Sequence, residues 1–129
     1  MRTYTPQQYN DGIPEDSRFA AHSDFFKSTI AQLQTSEGLE KIQKVRDLTA
    51  LAQSELNTGV IQLALAYIAK MSNTGTVILG CSSAQQLEEQ LTALDIIEKI
   101  DERIVEKVEA IVRNKPEVPK GMRPLRGQE

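Results

Sequence analysis

The sequence predicts an α/β protein, mostly helical, that forms one piece of a larger parallel-sheet structure. Three observations carry this. Leu, Ile and Val recur every three to four residues through most of the chain, the period of helices with one apolar face. Residues 60–71, "VIQLALAYIAKM", are apolar nearly all round, as in a helix buried on every side. Residues 76–79, "TVIL", make the one convincing strand, and it is too apolar to be a solvated edge. A lone strand leaves its backbone N–H and C=O groups without a ladder. A continuous apolar strand belongs in a parallel sheet covered by helices, so its neighbours are expected to lie outside this sequence.

The elements follow in order. Residues 1–22 are expected to be irregular, because "YNDGIPEDSR" strings together turn-forming residues. Ser23 or Asp24 is positioned to cap a short helix that carries Phe26, Ile30 and Leu33 at spacings of four and three. Ser36 is expected to cap the next helix. Leu39, Ile42, Val45, Leu48, Leu51 and Ala52 line one side of it, and it runs to about Leu56. Asn57-Thr58-Gly59 ends it, the apolar helix 60–71 follows, and Ser72-Asn73-Thr74-Gly75 makes a loop before the strand.

Ser83 lies three residues before Gln86, a capping-box spacing, and Leu87, Leu91 and Leu94 are expected to turn the following helix inward. Asp101 is placed to cap a last helix whose apolar positions are Ile104, Val105, Val108, Ile111 and Val112; its Lys/Glu-rich face is expected to be solvated. Residues 115–129, with three prolines and two glycines, predict a disordered tail. Residues 23–114 therefore form the structured part.

Composition narrows the function. The 129 residues suit one modest domain, and the net charge of −3 gives no electrostatic case for nucleic acid. One cysteine excludes an internal disulfide framework and suits a reducing compartment. No run of about 18 apolar residues occurs, so membrane insertion is not expected. The first residues lack the apolar stretch of a secretory signal. A soluble cytoplasmic protein is the expectation.

The turn after the strand, "GCSS", is where chemistry could sit. Gly80 lets the backbone approach a ligand, Ser82 and Ser83 add hydroxyls, and the helix beyond offers unpaired N–H groups with partial positive charge. Such a turn suits a phosphate. It also suits an ordinary strand-to-helix connection with Ser83 as its cap.

"YNDGIPEDSR", "QLALAYIAKM" and "TVILGCSSAQQLEEQLTALDI", in that order and spacing, resemble the C-terminal third of an aldo-keto reductase. The similarity extends over residues 8–115 and is greatest to the branch containing the potassium-channel β-subunits and their fungal relatives. It implies a C-terminal fragment of a (β/α)₈ TIM barrel, with 76–79 as its eighth strand and 101–113 as an added helix. It also implies NADPH as cofactor and reduction of aldehydes or ketones by full-length relatives. The family pattern Gly-x-Ser-x-x-x-Gln/Arg-x-x-Glu-Asn reads here Gly80, Ser82, Gln86, Glu89, Gln90. By resemblance, Ser82 and Gln86 meet the 2′-phosphate and ribose, and Glu89 the adenine edge. Gln90 stands where the family has Asn. Arg18 is the arginine that pairs with the 2′-phosphate, and Gln8 stands where the family has a lysine.

The family's catalytic tyrosine, lysine, aspartate and histidine come from the first half of the barrel, and their motifs are absent here. Tyr4, Tyr9 and Tyr67 match other places, and His22 has no base–nucleophile arrangement around it. Cys81 is read as a small residue in the cofactor turn rather than a nucleophile. Catalytic and metal-ligating residues are thus expected to be none, cofactor affinity weak or lost, and the isolated chain inactive. The rival expectation is a non-enzymatic helical interaction module or channel-β-subunit-like regulatory fragment, docking on itself or on a full-length aldo-keto reductase.

Overall fold

The computed structural model describes residues 18–114. Helices dominate: α1 (Arg18–Ala21), α2 (Ser23–Leu33), α3 (Ser36–Leu56), α4 (Val60–Lys70), α5 (Ala84–Leu91), a 3₁₀ helix (Thr92–Lys99) and α6 (Glu102–Val112). α1 is helical inside the span expected to be irregular. The tail expected over 115–129 lies outside the described residues.

The start of α3 is fixed one residue earlier than the sequence suggests. Thr35 Oγ1 accepts from the Gly38 N–H at 3.1 Å, and Thr35 is its N-cap instead of Ser36. At α2 the N-cap is His22, one residue before the expected pair, and it makes no side-chain cap bond. The α2–α3 turn is tight: a Cβ on buried Gly38 would collide with the Gln32 carbonyl and the Leu33 backbone. Asn57, with φ 50°, ends α3 in the left-handed conformation that Asn tolerates. Asp101 Oδ1 accepts from Ile104 N–H at 2.8 Å and caps α6, as its position predicts.

The core is one cluster. Leu51, Ala52 and Leu56 of α3 meet Leu63 and Ala66 of α4, Ile96 and Ile100 from the 3₁₀ region, and Ile104 and Val108 of α6. Its outer edge is clamped by Glu55, whose carboxylate accepts from Arg103 at 2.5 Å and Lys107 at 2.6 Å, joining α3 to α6. Those two bonds, Lys107's first and then Arg103's, hold the Glu55 carboxyl at about 2, below its ordinary 4.5.

One expectation stays unconfirmed and two are corrected. Among the described residues no strand forms; 76–79 run without a ladder, and Ile78 is 92% exposed. Strand pairing needs a second edge, which these residues do not meet. Leu87, Leu91 and Leu94 do not turn inward: all three are exposed, and α5 buries no residue. The chain tightens to 3₁₀ geometry after Leu91, and Ala93 and Ile96 go to the interior instead. Lastly, α4 is not buried all round, because Ala64 and Ile68 face outward.

Candidate functional site

The turn from Gly80 into α5 is built by three side chains that close on its backbone. Ser83 is the N-cap, with its Oγ accepting from Gln86 N–H at 3.2 Å. Gln86, one turn into the helix, reaches back, and its Oε1 accepts from both Ser82 N–H and Ser82 Oγ at 2.9 Å. Gln90, one turn further on the same face, donates from Nε2 to the Gly80 carbonyl at 3.2 Å. Gly80, Ser82, Gln86 and Gln90 thus converge on one turn through their own hydrogen bonds.

Glu89 is positioned differently. Its side chain is exposed, while its backbone carbonyl accepts from Thr92 Oγ1 at 2.7 Å and Gln62 Nε2 at 2.8 Å. Arg18 begins α1, and its side chain lies outside the described residues, as does Gln8. Cys81 is exposed within the turn. His22 acts through its backbone, its carbonyl accepting from Phe25 and Phe26 N–H at 3.1 and 3.2 Å. Tyr67 packs against the core.

Sequence reasoning missed the support given by Gln62. It is buried, 7% exposed, and pins the end of α5 to α4. The signal was available: one amide within an otherwise apolar helix must find a partner when buried.

Several features leave this turn open to a ligand. A Cβ built on Gly80 meets nothing within 4 Å, so a ligand has room beside that backbone. The first turn of α5 carries no acidic residue, which leaves the helix N-terminus suited to an anion. Gln90 Oε1 is buried with no partner, an acceptor that a donor brought to the turn would satisfy. Against these, Ser82 has one hydroxyl proton, and Gln86 already takes it. A phosphate contact at Ser82 therefore requires that bond to be exchanged.

No described helix is long and apolar enough to cross a membrane. The aldo/keto reductase family matches residues 4–113. Three similar proteins carry names that make them candidate voltage-gated potassium channel β subunits. That of Schizosaccharomyces pombe is 38% identical over 109 residues, covering 84% of this chain and 30% of that protein. That of Oryza sativa subsp. japonica is 34% identical over 104 residues, covering 81% of this chain and 30% of its own. That of Arabidopsis thaliana is 30% identical over 117 residues, covering 90% and 34%. The chain spans about a third of the length of these curated relatives. With the family matched from residue 4 to residue 113, and relatives of the same kind in a fungus and two plants, this chain belongs to the aldo/keto reductase family.

Proposed function

We propose that residues 80–90 are the adenine and 2′-phosphate side of an NADPH site, and that the chain acts as the C-terminal part of a (β/α)₈ aldo-keto reductase barrel. The observation that carries this reading is the turn itself, where Gly80, Ser82, Gln86 and Gln90 converge at the start of α5. NADPH, when bound, supplies the hydride that reduces an aldehyde or ketone. In this chain, Ser82 and the α5 N-terminus receive the 2′-phosphate, and Arg18 pairs with it through its guanidinium fork. Gln86 releases Ser82 and turns its amide to the ribose. Gln90 offers its unpartnered Oε1 to the adenine amine, and Glu89 stands at the adenine edge.

Opening the Ser82–Gln86 bonds consumes binding energy, so affinity in the chain alone is weak and falls with salt. The chain alone reduces nothing, since the acid that protonates the carbonyl belongs to the rest of the barrel. The test is a titration of wild type and Arg18→Ala with NADPH and NADH. A preference for NADPH that Arg18→Ala abolishes is the expected result. Equal affinity for the two dinucleotides in wild type would remove the 2′-phosphate from the reading.

A second reading has its own observation, the exposed apolar residues Ile78, Leu87, Leu91 and Leu94. They suit a helical module that docks on a full-length relative without binding a dinucleotide, as part of an assembly of the kind the relatives' names describe. In-frame sequence upstream of Met1 encoding barrel strands decides for the first reading.

A further inference from the structure

An open groove of about 750 Å³ lies between α4 and α6. Val60, Ala64 and Ile68 line it from α4, Met71 from the position just after that helix, and Val112 from α6. None of Ile78, Leu87, Leu91 or Leu94 takes part, so it is separate from the exposed leucine stripe. Among the described residues of the lining, Glu109 is the only charged one. Asn114, the last described residue, also lines it, so the chain leaves α6 at the rim of the groove.

We infer that this groove is the seat of the chain's own residues 115–129. Position is the first argument. Residue 115 is bonded to a residue of the lining, so the segment is held beside the groove at high effective concentration, and seating it costs no translational freedom. Reach is the second. The eleven residues of α4 extend about 16 Å, a length that about five extended residues cover.

Chemistry is the third argument. The segment intersperses Val118, Met122 and Leu125 with Lys115, Lys120, Arg123 and Arg126, against two acids, Glu117 and Glu129. Apolar side chains match the α4 wall, and the segment's net positive charge is opposite in sign to the Glu109 carboxylate of the described lining. Met in particular fills irregular apolar gaps. The occupant also accounts for the exposure of Ala64 and Ile68 on a helix with almost no polar side.

Limited trypsin digestion of the full chain tests this at Lys120–Gly121 and Arg126–Gly127. Ile68→Asp disrupts the groove at an exposed position, and Met122→Ser with Leu125→Ser disrupts the occupant without touching the helices. The expected result is cleavage about tenfold slower in wild type than in Ile68→Asp, since cleavage tracks the population of the open form. Hydrogen exchange through 60–71 should quicken in both variants, at every protein concentration. Identical cleavage and exchange in all three proteins overturn the inference. Protection that disappears on dilution also overturns it, and assigns the groove to a second copy of the chain.

Discussion

Gln62 Nε2 donates to the backbone carbonyl of Glu89 across 2.8 Å, so that one buried amide on α4 holds the far end of the α5 turn to the core. A second donor to that oxygen, Thr92 Oγ1, lies only three residues away in sequence. The first prediction concerns Gln62→Leu, which keeps the volume and removes the donor. It should cost about 1 kcal/mol of stability in denaturant unfolding, the net value of one hydrogen bond. Hydrogen exchange should quicken through 84–92 and hold steady through α3 and α6. A uniform change across all helices would show that Gln62 only fills space.

Acid should act through Glu55. Its carboxyl is held at about 2 by Lys107 and Arg103, below its ordinary 4.5. A depressed folded-state value contributes stability above pH 4.5, and that contribution is lost as pH falls from about 4.5 toward 2. The second prediction is a fall in the unfolding midpoint across this window. Glu55→Gln should lower the midpoint at neutral pH and flatten the acid limb. Because the groups reach solvent, high salt should weaken the difference between the two proteins. An acid limb of the same slope in Glu55→Gln would assign the loss to other carboxylates.

The helices were legible in the sequence because their information is local. The periods of α3 and α6, the caps at Ser83 and Asp101 and the break at Asn57 all depend on residues a few places apart. The cap of α3 was misplaced by one residue because Thr35 and Ser36 have the same chemistry and only geometry chooses between them. What failed was burial. The outward side of α4 and the exposure of Leu87, Leu91 and Leu94 depend on what lies opposite, which local pattern does not specify. At the site, spacing put Ser82, Gln86 and Gln90 on one face of the turn, but did not show the saturation of Ser82 by Gln86.

The exposed stripe gives the third prediction. Ile78 is 92% exposed and Leu94 64%, so the isolated chain should self-associate through this surface. Leu87→Glu with Leu91→Glu should shift the chain toward monomer in sedimentation velocity. Its helical circular dichroism should stay unchanged, because no residue of α5 is buried. A loss of helical signal in the double variant would mean that these leucines are needed for folding within the single chain.

Gln90 separates stability from binding, and the fourth prediction rests on the two ends of its amide. Nε2 is used, donating to the Gly80 carbonyl at 3.2 Å, whereas Oε1 is buried without a partner. A made hydrogen bond contributes about 0.5–1.5 kcal/mol net, and an unmade buried one costs about 1–3 kcal/mol. Gln90→Leu removes both, so the unfolding midpoint should be unchanged or slightly raised. If Oε1 is there for the adenine amine, affinity should nevertheless fall, and equally for NADPH and NADH, since both carry that ring. The contrast with Arg18→Ala is the control, because that variant should weaken NADPH alone. A polar atom left unsatisfied in the free protein is stability given up, and a ligand donor is what recovers it. Unchanged dinucleotide affinity in Gln90→Leu would reduce the amide to an anchor for the Gly80 turn and leave adenine recognition to Glu89.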